Sequence, residues 1–417
     1  MKGAEDVEQE TAPERKPPLQ RKRFWQNDME AVLGIMAVLL ILGTVNVMSS
    51  SFVTAEMRFD DPYFFLKRHL IATVVGAVAC IVFARVDYHF WREWMPIVFV
   101  LTLGALAYVY GFGVEVNGAK RWLSLPFMQM QPAEGAKIVT IMIAAASLAK
   151  NKHGGKEIGI LGLVNPQYLA IMMLAALVYI EPDMGTAAVV AGVPVILFVF
   201  VASLKKYQVL GLAGFVAALG ALFIHLQPYR LQRVLTVWDP WSDAQGVGYQ
   251  TVQSILTVGS GGLTGMGLGV GLSKYAYLPE GHTDFAFAIF CQENGFLGAF
   301  AVFFLYTALA VYGVRIANKA SDIYGQLLSF GIVILIVGQG ICNMLMVGGA
   351  FFVVGVPLPF ISYGGSSLIF TMIAIGILIN IGLVGERAER MREQARYEEE
   401  LRETAPRPHV GLRLVKK

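Results

Sequence analysis

Charged residues are scarce in this sequence, and their scarcity excludes most soluble proteins. Only 15% of the 417 residues are Asp, Glu, Lys or Arg, whereas 56% are hydrophobic. A soluble chain of this length needs far more surface charge, so the composition indicates a protein that crosses a membrane several times. The formal net charge is only +3 and is spread over short loops, which gives no indication of nucleic-acid binding.

Cysteine is also rare. The three cysteines, Cys80, Cys291 and Cys342, each lie within an apolar run. They form no CxxC pair, so neither a disulfide framework nor a structural zinc site is indicated. About thirty mostly polar residues precede the first apolar run, which is the wrong order for a cleavable signal peptide.

Ten apolar runs predict an all-α fold with ten transmembrane helices, because each run approaches the ~20 residues that a bilayer crossing needs. They cover residues 31–47, 70–83, 96–112, 135–149, 168–180, 185–204, 209–226, 285–314, 327–346 and 367–384. The sequence thus predicts a disordered cytoplasmic tail at 1–29, a ten-helix membrane domain at 30–385 and a charged cytoplasmic tail at 386–417.

The distribution of Lys and Arg predicts the orientation. Most of them lie in the tails and in the loops that share a side with the N-terminus, which favours two cytoplasmic termini. A long polar segment at about 227–284, between helices 7 and 8, is then extracytoplasmic. Connections of this length are usually functional or disordered, and this one is too aromatic and too rich in glycine to look disordered.

Ionisable residues near the spans need a partner or a function, since each costs ~2.5–3.5 kcal/mol at a helix centre. Glu134 and Lys137 are three residues apart, on one helix face, where they form either a structural ion pair or a polar wall of a substrate cavity. Glu181 and Asp183 flank Pro182 where a helix begins, and capping of that helix is the simpler interpretation.

Two outer segments leave alternatives open. Lys120 and Arg121, beside Trp122, suit either an interface anchor or a phosphate-binding site. The glycine-rich stretch 259–271 has no GxxxxGK[ST] motif, which argues against nucleotide binding. It indicates close backbone packing or a re-entrant loop.

The motif YLPEGHTDF, which ends the long polar segment, gathers three ionisable residues: Glu280, His282 and Asp284. Thr283 is expected to cap the next helix and to leave Asp284 in its first turn. Helix capping explains Asp284 as well as general-base catalysis does, and His282 suits a structural hydrogen bond as well as ligand binding.

Seven motifs together resemble one known family. They are NGAKRW, QPAEGAK, PDMGTA, YRLQRVLTVWDPWSDAQGVGYQTVQS, GSGGLTGMGLG, YLPEGHTDF and PLPFISYGGSS, which run in order from residue 117 to 367. The series resembles the SEDS (shape, elongation, division and sporulation) family of peptidoglycan glycosyltransferases, and its division and sporulation members more than the elongation member. Glu181 departs from the pattern, where Gln is more usual.

The resemblance implies an enzyme that polymerises lipid II on the outer face of the membrane. The family's essential Asp falls on Asp284, with the expected role of deprotonating the acceptor hydroxyl. Glu134 and Lys137 match the family's cavity motif. Arg121, Arg230 and Arg233 are candidates for binding the pyrophosphate, from their charge and side of the membrane. No cofactor is certain, and a divalent cation, Mg²⁺ or Mn²⁺, stays open.

The resemblance also implies partners and a location. These are a class B penicillin-binding protein, other divisome proteins and membrane lipid, with no nucleic acid, in the bacterial inner membrane at the division septum. Two other functions remain open from the sequence. One is a lipid II flippase, which Glu134 and Lys137 would suit; the other is a division scaffold without activity.

Overall fold

The computed structural model describes residues 27–116, 118–124, 129–153, 159–225, 228–275 and 278–404. Most of this part is helical, which confirms the predicted class. The α-helices are α1 Asp28–Phe59, α2 Phe64–Arg85, α3 Tyr88–Glu93, α4 Met95–Phe112, α5 Pro132–His153, α6 Pro166–Ile180, α7 Met184–Val201, α8 Lys206–His225, α9 Pro228–Leu235, α10 Tyr249–Ser260, α11 Ala286–Asn318, α12 Ile323–Val347 and α13 Gly365–Thr404. Most of the predicted tail 1–29 lies outside the described residues.

Each predicted apolar run falls largely within one of ten of these helices. Among the described residues, eight helices are long and apolar enough to cross a membrane: α1, α2, α4, α5, α7, α11, α12 and α13. The apolar helix α6 has 15 residues, and α8, some of whose side chains lie outside the described part, is not among the eight. The multi-pass membrane protein is confirmed, while the number of ten crossings stays a prediction.

A small antiparallel sheet between α4 and α5 is an addition that the sequence does not predict. Its strands are β1 Val114–Val116, β2 Ala119–Ser124 and β3 Gln129–Met130, in the order β1-β2-β3. Ala119 lies opposite Val116, and Leu123 lies opposite Met130. Arg121 belongs to the central strand β2, so the sheet fixes the position of the backbone from which the Arg121 side chain extends.

The glycine-rich stretch packs against a break in α11. Gly295, with a φ of 66°, interrupts that helix about nine residues, or ~14 Å, after its start. Peptide groups freed at the break bond to the stretch: Met266 N–H donates to Gln292 O (2.9 Å), and Phe296 N–H donates to Gly262 O (2.9 Å). A Cβ on Gly265 would lie 2.1 Å from Glu293 O, so the expectation of close backbone packing is confirmed.

Polar contacts join the chain at two ends of the helix bundle. At one end, Asp28 at the start of α1 binds Lys319 after α11, with Oδ2 and Nζ 2.7 Å apart. The Tyr88 hydroxyl lies 2.9 Å from Ser321 Oγ at the same end. The sheet, the α6–α7 turn, the segment 228–285 and the α12–α13 connection lie at the other end. This second end carries the candidate site.

Candidate active site

Asp284 lies in a tight turn before α11, and its peptide group is held by a distant helix. Phe285 N–H and Thr283 N–H both donate to Glu280 O, each at 3.1 Å. Asn343 of α12 donates from Nδ2 to Asp284 O and to Val356 O, each at 2.8 Å. One amide group therefore joins the Asp284 turn, α12 and the α12–α13 connection.

The predicted helix cap at Thr283 is wrong. The N-cap position of α11 is Phe285, which makes no side-chain cap, so Asp284 precedes the helix and is not in its first turn. Thr283 Oγ1 instead donates to Glu280 Oε2 at 2.8 Å. Glu280 has a φ of 53°, which folds the chain back on itself. The Thr283 hydroxyl group therefore forms its hydrogen bond within the turn.

The Asp284 carboxyl group is half-buried and lies among both negative and positive groups. Burial, Glu280 and Asp183 raise its pKa to about 7, while Arg121 and Arg233 act in the opposite direction. A Cβ on Gly355, whose φ is 71°, would lie 3.5 Å from Asp284 Oδ2. The α12–α13 connection thus covers one side of the carboxyl group. A carboxylate with a pKa near neutrality suits a general base.

Arg121 binds the turn between α6 and α7. Its Nε donates to Glu181 O at 2.8 Å, and a terminal guanidinium nitrogen donates to Pro182 O. Both acceptors are backbone carbonyl groups, so the positive charge of Arg121 is not neutralised by these bonds. Electrostatic interactions therefore connect three candidates that the sequence predicts, at one end of the bundle: the charges of Arg121 and Arg233 both act on the Asp284 carboxyl group.

The predicted capping role is confirmed for Asp183 and wrong for Glu181. Asp183 accepts from Thr186 N–H at 3.1 Å as the cap of α7, and it also accepts from Gln131 Nε2 at 2.9 Å. Glu181 follows α6 instead and is 2% exposed, and neither of its carboxyl oxygens has a hydrogen-bond partner. Burial, and then Asp183, raise its pKa to about 8, which Arg121 partly opposes.

His282 packs against aromatic rings. Its ring centroid lies 4.6 Å from that of Phe65 and 6.0 Å from that of Tyr363. His282 O accepts from Tyr363 N–H at 3.0 Å. Burial lowers the pKa of the imidazole, although Glu280 opposes this shift. These contacts fix the Asp284 turn on α2 and on the connection to α13.

Glu134 and Lys137 form a buried ion pair that reaches a second helix. Lys137 Nζ donates to Glu134 Oε1 at 2.7 Å and to Gln339 Oε1 of α12 at 3.1 Å. Gln339 Nε2 in turn donates to Pro357 O at 2.9 Å. The predicted ion pair thus exists, while its role in a substrate cavity stays a prediction, because the cavity that it lines has a volume of only about 10 Å³.

The structure gives less information about Arg230 and Lys120. Arg230 belongs to α9, but its side chain lies outside the described part of the chain. Lys120 is exposed on β2, opposite Glu115 of β1.

Among the residues that the structure describes, no group of three or more His, Cys, Asp and Glu side chains could hold a metal ion.

Sequence reasoning missed Asn343, Gln339 and Gln131, which hold the other site residues in place. A signal exists for the first two: they are uncharged polar residues four positions apart within an apolar span. Such side chains usually form hydrogen bonds to neighbouring helices in a membrane protein. Their partners lie 13 to 202 residues away along the chain, so the sequence alone does not identify them.

Fold and site together define a multi-pass membrane protein with a partly buried acidic centre at one end of an apolar helix bundle. The model of the cell cycle protein family of FtsW, RodA and SpoVE matches residues 29–385. The chain belongs to this family.

Similar proteins include two curated relatives and two solved structures. The chain is 39% identical to the probable peptidoglycan glycosyltransferase FtsW of Trichlorobacter lovleyi (87% of this chain, 95% of the relative). It is 37% identical to stage V sporulation protein E of Bacillus subtilis (83% and 94%). A chain from a peptidoglycan synthase complex that coordinates polymerization and crosslinking matches with a TM-score of 0.69 and 26% identity (85% and 97%). Thermus thermophilus RodA, a rod shape determining protein, matches with a TM-score of 0.61 and 25% identity (84% and 95%).

Proposed function

We propose that this protein is a peptidoglycan glycosyltransferase that polymerises lipid II into glycan strands on the outer face of the cytoplasmic membrane during septal wall synthesis. The observation that carries the proposal is Asp284, a half-buried carboxyl group with its pKa raised to about 7, near Arg121 and Arg233. The name of the relative from Trichlorobacter, a probable peptidoglycan glycosyltransferase, supports the same activity.

The proposed reaction uses Asp284 as the general base. Its carboxylate takes the proton from the 4-hydroxyl group of the acceptor N-acetylglucosamine. The resulting oxygen nucleophile forms a bond to the anomeric carbon of the donor, and the bond from that carbon to the pyrophosphate oxygen breaks. Arg121, Arg230 and Arg233 stabilise the negative charge of the leaving pyrophosphate.

The remaining proposed substrate-binding residues shape the site. Glu280 and His282 hold the Asp284 turn, through the bond from Thr283 and the packing against Phe65. Glu134 and Lys137 fix α5 against Gln339, next to the α12–α13 connection that covers Asp284.

Three further proposals concern the surroundings of the enzyme. Both termini are cytoplasmic, because most Lys and Arg residues lie in the tails and on the side of the N-terminus, where Lys319 Nζ donates to Asp28 at the start of α1. The partner is a class B penicillin-binding protein, by analogy with the synthase complex that the fold resembles. A divalent cation would bind to the pyrophosphate itself and neutralise its charge, since the described residues include no group of three or more His, Cys, Asp and Glu side chains that could hold a metal ion.

The test is polymerisation of labelled lipid II by the purified protein, together with a penicillin-binding partner inactivated at its transpeptidase site. Asp284→Asn should lower the rate ~10²–10⁴-fold, the usual contribution of a general base. Asp239→Asn is the matched control, since Asp239 is an exposed carboxylate of the same outer segment. It should polymerise at the wild-type rate. Parallel reactions with EDTA, and with Mg²⁺ or Mn²⁺ restored, test the cation.

Each other outcome has a definite meaning. Equal rates for the wild type and Asp284→Asn would remove the base role from Asp284. No polymer from a folded wild-type protein with its partner would reject the polymerase. Lipid II transfer between the leaflets of proteoliposomes would then support a flippase, and its absence a scaffold.

A further inference from the structure

An open cavity lies on the outer segment, apart from the ion pair of Glu134 and Lys137. It has a volume of about 450 Å³. Its lining includes Arg233, Asp243, Val247, Tyr249, Gln250 and Pro279. This volume is within the range of ~300–1,000 Å³ that is usual for small-molecule sites. The lining residues come from α9, from the connection before α10, from the start of α10 and from the Asp284 turn, so four segments converge on it.

Two residues connect the cavity with the Asp284 turn. Arg233 lines the cavity and acts electrostatically on the Asp284 carboxyl group. Pro279, which also lines the cavity, immediately precedes Glu280, whose backbone oxygen closes the turn that carries Asp284. The chain that leads into the turn of the proposed base therefore forms part of the cavity wall.

The walls of the cavity are chemically suited to a sugar. Gln250 offers both a donor and an acceptor, Arg233 offers donors, and the Asp243 carboxylate offers acceptors. Tyr249 and Pro279 add flat apolar surfaces, against which the C–H face of a sugar ring can pack. Asp243 is already oriented, because its Oδ2 accepts from Val247 N–H at 2.9 Å.

We propose that this cavity is a sugar subsite that holds the N-acetylated disaccharide of the acceptor, with its 4-hydroxyl group directed toward Asp284. The inference rests on the proposed polymerase function and adds a location for one of the two substrates. The acceptor is bound through its saccharide part, so binding here requires neither the lipid nor the pyrophosphate.

Direct binding of a soluble ligand tests the subsite. The probe is the water-soluble disaccharide pentapeptide, without lipid or pyrophosphate, titrated into the purified full-length protein by calorimetry. Gln250→Ala removes one side chain from the wall and should weaken binding about 3- to 10-fold, as expected for the loss of a hydrogen bond. Val247→Trp keeps the backbone N–H that Asp243 accepts but fills the space, and it should weaken binding by more than ~10-fold.

Gln245→Ala is the matched control, because Gln245 is an exposed glutamine of the same segment and is not part of the lining. Its affinity should equal that of the wild type. In polymerisation assays, Gln250→Ala should raise the KM for lipid II more than it lowers kcat. Thermal unfolding of each variant checks the fold, and Gln250→Ala stands alone if Val247→Trp does not fold.

Three results would overturn the subsite, and the first two are no binding of the soluble saccharide to the wild type and unchanged affinity in both cavity variants. Loss of binding to the penicillin-binding partner, with saccharide affinity intact, would assign the cavity to the partner and also overturn it. The subsite and the polymerase fail separately. Asp284→Asn should still bind the soluble saccharide although its polymerisation rate falls ~10²–10⁴-fold.

Discussion

Glu181 is the least satisfied carboxyl group among the described residues of the site. It is 2% exposed, neither oxygen has a hydrogen-bond partner, and Asp183 adds a negative charge nearby. Burying a charge without a partner is unfavourable, so the protonated form is preferred. The site thus keeps a neutral acid beside Arg121, where the related family pattern more usually has the neutral amide of Gln.

Glu181→Gln should stabilise the protein in a pH-dependent way. Because burial raises the pKa of Glu181 from its ordinary value of 4.5 to about 8, the folded wild type binds more protons than the unfolded chain between these values. Its stability therefore falls as pH rises through that window and levels off above it. The gain in unfolding temperature of Glu181→Gln over the wild type should be smallest near pH 5 and largest above pH 8.

Thermal unfolding in detergent at pH 5, 7 and 9 measures this gain. Asp239→Gln replaces an exposed carboxylate of the outer segment and is the control, since its effect should not change with pH over this range. A constant gain for Glu181→Gln from pH 5 to pH 9 would contradict an unpaired, protonated Glu181.

At the scale of elements, a buried ion pair fastens the break in α11. Lys274 Nζ and Glu293 Oε1 form a salt bridge, and the two side chains are 3% and 1% exposed. Ser49 of α1 joins them, since it accepts from Lys274 Nζ at 2.7 Å and donates to Glu293 Oε1 at 2.6 Å. Gly269 N–H donates to the same carboxylate oxygen at 3.1 Å. These bonds hold α1, the segment 269–274 and α11 together at the break.

Lys274→Met should destabilise the protein by ~3–5 kcal/mol, because it leaves the Glu293 charge buried without its partner. Lys67→Met is the matched control: its salt bridge with Asp61 spans 2.8 Å, but the side chains are 64% and 32% exposed. An exposed pair contributes only ~0–1 kcal/mol.

Chemical unfolding of both variants gives the comparison. The double variant Lys274→Met/Glu293→Gln should recover part of the loss, because it removes the uncompensated charge. Equal stabilities of Lys274→Met and Lys67→Met would show that the buried pair does not fasten the break.

The elements that the sequence predicts well are those that local physics determines. Membrane helices follow from hydropathy alone, because a long apolar run has no other stable form in a bilayer. Even so, hydropathy marks only the apolar part of a helix: the first predicted run ends at residue 47, whereas α1 continues to Phe59. The cap at Asp183 is equally local, since its acceptor and the Thr186 donor are three residues apart.

The elements that the sequence misses depend on distant contacts. Strands of three, six and two residues are too short to show alternation, and they form only because the sheet pairs them. Thr283 looks like a helix cap, but Glu280 takes its hydroxyl group. Asp284 is found through a motif, whereas Asn343, which holds its carbonyl group, lies 59 residues away. A local sequence pattern does not reveal a contact between residues so far apart along the chain.

For the whole molecule, the central prediction is the number of crossings, and α8 is the helix that decides it. If α8 crosses, Ser203 before it and Gln245 after it lie on opposite sides of the membrane. Gln394 on α13 should share the side of Ser203. All three residues are exposed, so a cysteine can replace each of them.

Labelling of intact spheroplasts with a membrane-impermeant maleimide tests this topology in a Cys342→Ser background, since Cys80 and Cys291 are buried. Cysteine at position 245 should react at once. Cysteine at positions 203 and 394 should react only after permeabilisation. Reaction of positions 203 and 245 under the same conditions would mean that α8 does not cross, and reaction at position 394 in intact cells would reverse the proposed side of the C-terminus.

The length of α13 has a mechanical consequence. This helix has 40 residues, which corresponds to about 60 Å, roughly twice the ~30 Å of a hydrocarbon core. It contains no proline, and only Gly364 separates its first residue, Gly365, from Tyr363, whose N–H donates to His282 O. One continuous helix and one glycine therefore connect the protruding end with the turn that carries Asp284.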